Sequence, residues 1–213
     1  MTRTPKPEPA SQLRRWRTYR AMPWRNGLGT TLEVAREPPT GESFRWRLSL
    51  AGIDRDSEFS AYPGYSRALV LIEGSRLELR FQRHGRCLLD PAHRAVRFEG
   101  DWTTRCRIPD GRCADLSLIV HRGADRRPTA VVRTPRILRI SAPTEVPLAR
   151  GLRGALFVLT GKLAVLDSAD ARPHLLRRRD TLLLAPGPRR VLTLRRAAAS
   201  PAEVIFLRWH PGR

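Results

Sequence analysis

Short runs of apolar or alternating residues recur along the whole chain, and most of them are separated by Gly, Pro, Asp or Asn. Runs with this alternation and these flanking residues predict β-strands. No long stretch repeats its apolar residues at helical spacing, so the pattern predicts an all-β sandwich or barrel. The predicted strands are 46–50, 68–72, 77–81, 116–120, 155–159, 163–166, 181–184, 191–194 and 204–207.

Several of these segments have a counterpart at one constant distance along the chain. Residues 68–74 resemble 155–161, residues 98–100 resemble 185–187, and residues 118–120 resemble 205–207, always at the spacing that separates Gly74 from Gly161. A constant spacing without gaps predicts two copies of one β-unit. The first copy is predicted at 13–125 and the second at 129–210, with a proline-containing region between them. Residues 1–12 are rich in proline and poor in apolar residues, which predicts a disordered tail.

Each copy resembles a cupin, in which a strand leads through a glycine hairpin into a second strand and then to a Pro-x-Gly-like turn. The hairpin glycines are Gly74 and Gly161, and Ala185-Pro186-Gly187 is the clearest closing turn. The fold class that this resemblance implies is an all-β bicupin, with two RmlC-like jelly-roll β-barrels in tandem.

Metal-binding cupins carry His and Glu ligands at set distances from these glycines, and this chain has none there. The positions in the first copy hold Ala61, Pro63, Arg67 and Thr103, and those in the second hold Leu148, Arg150, Gly154 and Arg190. The five histidines share no ligand spacing, and the three cysteines form no metal-binding pair. We therefore expect no metal and no other cofactor.

Arg67 occupies the usual Glu position, so the cupin register would direct its side chain into the barrel. A guanidinium in an apolar cavity needs an anion, because it cannot lose its proton. That anion is either Glu33 or Glu73 of the protein itself, or the carboxylate of a bound ligand. The alternation of 46–50 places Arg47 and Ser49 on one face, which either lines the same cavity or faces solvent.

Residues 22–33 combine turn-forming glycines with an indole, an amide, hydroxyls and both charges. Pro23, Gly27 and Gly29 disfavour helix and central strand, so a loop of defined shape is expected. Such a loop is either a cradle for a ligand or a tight connection between two strands.

Arginine supplies nearly all of the formal charge of +20, because Lys6 and Lys162 are the lysines among the 40 basic residues. The arginines are spread along the chain and no nucleic-acid-binding motif accompanies them, so we expect no specific nucleic-acid partner. The chain has no apolar signal segment and no run long enough for a membrane span. With an odd number of cysteines, this composition predicts a cytoplasmic protein without a membrane partner.

The first half of the chain resembles the HutD/Ves family of bacterial two-cupin proteins over about residues 19–123. This chain has Leu28 where the family usually has glycine, and Ser117 where it usually has asparagine. The matching motifs are Pro23-Trp24-Arg25-Asn26-Gly27-x-Gly29-Thr30-Thr31-x-Glu33, Trp46-Arg47-Leu48-Ser49-x-Ala51, Phe59-Ser60-x-Tyr62-Pro63-Gly64-x-x-Arg67, Phe98-x-Gly100-Asp101, Asp115-Leu116-Ser117-Leu118 and Arg122-Gly123.

The resemblance implies a non-enzymatic, metal-independent protein that binds a small anionic metabolite of the urocanate or formylglutamate kind and moderates histidine catabolism. The ligand-binding residues that it suggests are Trp24, Asn26, Gly27, Thr30, Glu33, Arg47, Ser49, Arg67 and Asp115.

Two other functions remain open from the residues alone. A metal-free isomerase or lyase would need an acid or base, for which Glu33, Asp115 and Tyr62 are the candidates. A homodimer formed through an exposed strand edge is compatible with either function. Phe59, Tyr62 and Pro63 are expected to pack as a corner and not to contact a ligand.

Overall fold

The computed structural model describes residues 10–23, 30–123 and 132–210, and these residues form an all-β protein. A short 3-10 helix, Trp16–Thr18, lies between the first two strands. The strands are β1 (Ser11–Arg14), β2 (Arg20–Pro23), β3 (Thr30–Glu37), β4 (Trp46–Ile53), β5 (Ser57–Glu58), β6 (Tyr65–Glu73), β7 (Leu77–Phe81), β8 (Gly85–Leu89), β9 (Ala95–Glu99), β10 (Thr104–Arg107), β11 (Cys113–His121), β12 (Arg136–Ile140), β13 (Thr144–Leu148), β14 (Arg153–Thr160), β15 (Lys162–Asp167), β16 (Asp170–Arg177), β17 (Thr181–Leu184), β18 (Arg190–Arg196) and β19 (Ala202–Trp209).

The described residues divide into two compact units. The N-terminal unit consists of those in Trp16–Arg136 and Leu207–Arg213, and the C-terminal unit of those in Met1–Arg15 and Ile137–Phe206. No helix formed by the described residues is long and apolar enough to cross a membrane.

The N-terminal unit contains two antiparallel sheets. Six strands follow the order β2-β3-β4-β11-β6-β9, and four follow the order β5-β10-β7-β8. Both sheets contribute to one buried apolar cluster, for example Leu69 and Leu71 of β6 together with Leu77 and Leu79 of β7. This alternation of buried side chains every second residue is what the pleat of a strand produces.

The C-terminal unit repeats this arrangement. Its sheets have the orders β1-β17-β14-β19-β12 and β13-β18-β15-β16, and both contribute to a second apolar cluster. The order β11-β6-β9 of the N-terminal unit reappears as β19-β14-β17, and β5-β10-β7-β8 reappears as β13-β18-β15-β16. This repeated order supports the predicted duplication.

The two hairpin glycines hold equivalent places after β6 and β14. Gly74 and Gly161 have φ values of 93° and 78°, a region that side chains with a Cβ rarely adopt. A Cβ on Gly74 would also lie 2.5 Å from Cβ of Cys113. Local conformation and close packing therefore both require glycine at this turn.

The beginning of the chain differs from the prediction. Residues 11–12 were assigned to a disordered tail and 13–14 to the first copy, but all four form β1, which pairs with β17 of the C-terminal unit. Leu13 packs against the apolar cluster of that unit, and the amide of Ala185 donates to the carbonyl of Ala10. The strand forms because it pairs with the backbone groups of β17, far away in sequence, and its own composition carries no signal for this partner.

Candidate functional site

A cavity of about 600 Å³ lies in the N-terminal unit. Its walls are the strands β3, β4, β6 and β11 and the segment that follows β5. We call residues 59–65 the rim segment. The lining residues are Met22, Thr31, Glu42, Phe44, Arg47, Ser49, Ala51, Ile53, Glu58, Phe59, Ser60, Ala61, Tyr62, Arg67, Asp115, Ser117 and Ile119.

Strand register explains why polar side chains meet on this face, since directly opposed residues of antiparallel strands project to the same side. One row contains Arg47, Ile119 and Arg67, which are paired across β4, β11 and β6. The next row pairs Ser49 with Ser117. A third row pairs Ala51 with Asp115. The cavity therefore has guanidinium groups on one row, hydroxyl groups on the middle row and a carboxyl group on the third.

Arg67 is a buried cation, only 7% exposed. Its Cζ lies 5.2, 5.5 and 4.8 Å from the ring centroids of Phe59, Tyr62 and Phe98. One amino group, Nη1, donates a hydrogen bond of 3.2 Å to the carbonyl of Ser60, and Nε has no hydrogen-bond partner among the described residues. Burial lowers the pKa of Arg67 to about 10, against the opposing attraction of Asp115. The side chain is thus still cationic at neutral pH.

Arg47 is arranged in the same way on the neighbouring strand. Its Nη2 donates a hydrogen bond of 2.7 Å to the hydroxyl of Tyr62, and its Cζ lies 4.9 Å from the ring centroid of Phe44. Nε of Arg47 likewise finds no hydrogen-bond partner in the described ranges. Stacking on aromatic faces holds a guanidinium in place without consuming its N–H donors.

Asp115 is the acidic group of the third row, 2% exposed, and it lies at a β-bulge between β11 and β6. Bulges reorient individual side chains and are common beside functional sites. Burial raises the pKa of Asp115 to about 7, and Arg67 acts in the opposite direction. Within the part of the chain that the structure describes, Oδ1 of Asp115 and the hydroxyl of Ser117 have no hydrogen-bond partner. Near neutral pH this carboxyl can therefore gain or lose a proton.

The rim segment is held in place by a clamp consisting of Glu99, Gly100, Asp101 and Arg122. Arg122 donates a hydrogen bond of 2.8 Å to Glu99 and a second one to Asp101. Asp101 accepts a hydrogen bond from the amide of Gly64, and Gly100 exchanges backbone hydrogen bonds with the rim segment. The clamp therefore positions the two rim acceptors, the carbonyl of Ser60 and the hydroxyl of Tyr62, that contact the cavity arginines.

We expect Arg122→Ala to lower the free energy of unfolding by roughly 1.5–3 kcal/mol, the usual cost of losing hydrogen bonds to charged groups. The side chain of Arg122 is 16% exposed and engages two carboxylates. Arg112→Ala is the control, because Arg112 pairs with Asp54 at 78% exposure and should change stability by less than about 0.5 kcal/mol. Urea denaturation measures the free energy of unfolding of both variants. Equal losses of stability in the two variants would contradict the role of Arg122 in the clamp.

Four of the residues predicted for the site lie together in this cavity, namely Arg47, Ser49, Arg67 and Asp115. Trp24, Asn26 and Gly27 lie outside the described residues. Thr30 and Glu33 are not among the residues that line this cavity. Thr30 is exposed while its neighbour Thr31 lines the cavity, because successive strand residues point to opposite faces. Glu33 is buried opposite Ser49, beside a bulge in β3.

The aromatic walls were not predicted. Phe59 and Tyr62 were expected to form a packed corner, but both line the cavity and face the guanidinium of Arg67. Phe44, from the segment between β3 and β4, was not singled out at all. The clue in the sequence was that the rim motif places its aromatic residues close to Arg67, since a buried arginine needs such neighbours.

The carboxylate that acts on the pKa of Arg67 is also different from the two glutamates considered. The charged groups that influence its pKa are Asp115, Tyr62 and Arg47, and neither Glu33 nor Glu73 is among them. Asp115 belongs to a different strand from both glutamates. The pairing of β11 with β6 brings it to Arg67, and the sequence does not reveal this pairing.

The donor set of the cavity does not suit a metal ion. Within the described ranges, no three His, Cys, Asp or Glu side chains are grouped so that they could hold one. Arg67 lines the cavity, and a guanidinium has no lone pair to offer a metal. The cavity instead presents N–H and O–H donors, which are suited to an anion.

Comparisons with known proteins agree with this fold. The family model described as HutD matches residues 16–203. A 21.2 kDa protein from the region 3′ of hutC in Pseudomonas putida is 35% identical over 109 residues, 51% of this chain and 57% of that protein. Protein Ves of Cronobacter sakazakii is 31% identical over 139 residues, 65% of this chain and 70% of that protein. The matches to the curated relatives span between 33% and 70% of the relatives' own length.

Solved structures show the same similarity. A conserved protein of unknown function from Pseudomonas aeruginosa has a TM-score of 0.79 at 29% identity, covering 94% of this chain and 98% of its own. HutD from Pseudomonas fluorescens has a TM-score of 0.70 at 24% identity, covering 93% and 98%. Oxalate decarboxylase from Lactobacillus farciminis has a TM-score of 0.68 at 7% identity, covering 98% and 88%, and so shares the fold alone. Given the match over most of its length, this chain belongs to the HutD family.

Proposed function

We propose that this protein binds a small carboxylate metabolite in the N-terminal cavity, with Arg67 and Arg47 as the groups that hold the carboxylate. The observation that carries the proposal is a shortage of acceptors. A guanidinium has five N–H donors. Among the described residues, Arg67 donates one hydrogen bond to a protein acceptor, and so does Arg47.

N–H donors that lack acceptors lower the stability of a protein when they are buried. A buried polar group without a hydrogen-bond partner costs roughly 1–3 kcal/mol, and more when it is charged. A carboxylate supplies two oxygens with the spacing that the guanidinium fork accepts. One ligand could therefore satisfy donors that the protein leaves without acceptors and could balance the positive charge of the row.

The volume of the cavity and its other lining residues restrict the kind of ligand that it can hold. A volume of about 600 Å³ suits a metabolite and excludes a macromolecule. Phe44, Phe59 and Tyr62 offer apolar faces, and Ser49 and Ser117 offer hydroxyl groups. A small acid of the urocanate or formylglutamate kind, with a short apolar or planar body, meets these conditions.

The biological role that we propose is the moderation of histidine catabolism through binding of a metabolite of that pathway. Membership of the HutD family and the relative from the hutC region of Pseudomonas putida support this role. The structure of HutD from Pseudomonas fluorescens is described for a formate condition, which makes formate the natural minimal probe.

The test is a thermal-shift series at about 0.3 M salt, which screens nonspecific attraction to a chain of formal charge +20. Urocanate, N-formylglutamate, glutamate, histidine and formate are titrated beside uncharged sugars and divalent metals. A ligand that binds the native state at 100 times its Kd adds about 2.7 kcal/mol of stability, so Tm should rise with concentration for at least one acid. The absence of a shift with every acid would contradict the proposal.

One observation favours a second candidate, a metal-independent isomerase or lyase. Burial raises the pKa of Asp115 to about 7, which suits a general acid or base at neutral pH. Incubation of each acid that binds, followed by proton NMR, separates the two candidates. A new product that forms with the wild-type protein and not with Asp115→Asn would favour the enzyme.

A further inference from the structure

We propose that Asp115 is the specificity-determining residue of this cavity: it is protonated in the complex and donates a hydrogen bond to an acceptor group at the far end of the bound acid. The binding of each ligand molecule would then be accompanied by the uptake of about one proton. This inference rests on the proposed function and extends it, because it states what the ligand must carry besides its carboxylate.

The position of Asp115 makes it a second contact point. It lies on the third row of the cavity, whereas Arg47 and Arg67 lie on the first. Asp115 lies four positions from Ile119 along β11, which is roughly 13 Å of strand. The long side chain of Arg67 shortens this separation, because its guanidinium interacts electrostatically with Asp115 and both groups line the same cavity. A small acid held at the guanidinium therefore presents its other end to Asp115, near the hydroxyl groups of Ser49 and Ser117.

The surroundings of Asp115 favour its neutral form once an anion is bound. The side chain is 2% exposed, its Oδ1 has no partner, and no ion pair within 4 Å joins it to Arg67 among the described contacts. A bound carboxylate adds a like charge to the cavity and engages the guanidinium that partly stabilises the ionised form of Asp115. Both effects raise the pKa of Asp115 above its value of about 7 in the free protein.

Other titratable or charged groups face Asp115 or share its cavity. None of them places a cation on the third row, and the sulfur groups are neutral at physiological pH because burial raises their pKa values. Glu33 of β3 is buried opposite Ser49, outside the cavity lining. The other groups are Arg67 of β6, Arg47 of β4, Glu58 of β5, Glu42, Tyr62 of the rim segment, Cys106 of β10 and Cys113 of β11.

The charge balance then selects a class of ligand. Two guanidinium groups and a neutral Asp115 balance a compound with two carboxylates. A compound whose far end is a neutral acceptor still accepts the hydrogen bond of Asp115, but a monocarboxylate with an apolar far end leaves that donor without a partner. We therefore expect glutarate to bind more tightly than butyrate, which lacks the second carboxylate.

Isothermal titration calorimetry of the full chain with glutarate, in Tris and in HEPES at about pH 8, counts the protons taken up. At one pH unit above about 7, roughly nine tenths of Asp115 is ionised in the free protein. The expected uptake is close to one proton, and affinity should fall up to tenfold per pH unit above about 7. Asp115→Asn should bind glutarate with no uptake and without this pH dependence.

Asp54→Asn is the control, because Asp54 is exposed and pairs with Arg112 away from the cavity. It should keep the wild-type proton uptake. Glutarate binding by the wild-type protein without proton uptake would overturn the role of Asp115 and leave the proposed function standing, as would tighter binding of butyrate. A lack of binding by glutarate, butyrate and formate alike would overturn both.

Discussion

Replacing Arg67 with methionine should abolish carboxylate binding and at the same time raise the free energy of unfolding of the ligand-free protein. Removal of a buried charged contact to the ligand costs roughly 2–4 kcal/mol, which corresponds to about 30- to 900-fold in Kd. The ligand-free protein, in contrast, gains from the change. Arg67 is 7% exposed with one described hydrogen bond, and burial lowers its pKa to about 10.

A methionine fills a similar volume without the desolvation cost of a charge. Replacement of a buried ion pair by apolar residues is often stabilising by about 1–4 kcal/mol. Arg67→Met leaves no charge buried alone, because the pKa of Asp115 rises above about 7 without Arg67 and its carboxyl takes up a proton. This opposite movement of stability and binding is what distinguishes a ligand-binding arginine from one that holds the fold together. Urea denaturation of the ligand-free protein and titration with the acid that gives the largest thermal shift measure the two quantities.

Arg86→Met is the matched control, because it also removes one positive charge from a strand of the N-terminal unit. Arg86 is exposed on β8 and does not line the cavity. Arg86→Met should change neither the free energy of unfolding nor the free energy of ligand binding by more than about 0.5 kcal/mol. If Arg67→Met weakened binding by less than this amount, Arg67 would not belong to the site. If it strongly destabilised the ligand-free protein, its role would be structural.

Gly100→Ala should destabilise the N-terminal unit and displace the rim segment. A Cβ at this position would lie 2.3 Å from the carbonyl oxygen of Tyr62 and 2.9 Å from that of Tyr65. Both neighbours are backbone atoms, so the clash can be relieved only by moving the rim segment. Overpacking of this kind typically costs about 1–3 kcal/mol, and we expect the upper part of that range. Carboxylate binding should weaken as well, because the rim acceptors of Arg67 and Arg47 move with the segment.

The duplication of the fold provides a matched control in the same chain. Gly187 holds the equivalent position in the C-terminal unit, and a Cβ there would have nothing within 4 Å. Gly187→Ala should therefore be neutral or slightly stabilising, because it reduces the freedom of the unfolded chain. Calorimetry compares the Tm values of Gly100→Ala and Gly187→Ala with that of the wild-type protein. Equal effects would mean that the contact at the rim segment is not what requires glycine at position 100.

Much of the fold was predictable because it is local. The alternation of apolar and polar residues in 46–50 placed Arg47 and Ser49 on one face, and both line the cavity. The constant spacing from Gly74 to Gly161 indicated two copies, and the orders β11-β6-β9 and β5-β10-β7-β8 of the N-terminal unit have counterparts in the C-terminal unit. Such patterns are visible in the sequence because strand geometry alone fixes which side chains share a face.

The site itself was only partly predictable. The cupin register correctly directed Arg67 into the barrel, but it pointed to Glu33 or Glu73 as the possible protein anion. The charged neighbour is Asp115, because β11 pairs with β6. The aromatic faces over Arg67 come from β9 and from the rim segment, which depends on the clamp at Arg122.

By itself, the sequence determined the all-β strand pattern, and it predicted two copies of one unit and an arginine at the position of a cupin metal ligand. These depend on the pleat of a strand, on glycine at positive φ and on the chemistry of single residues. The tertiary structure decided that Ser11–Arg14 pairs with the C-terminal unit, that Asp115 lies in the cavity of Arg67, and that its carboxyl titrates near pH 7. Those outcomes follow from the pairing of distant strands and from burial, which arise only when the whole chain packs.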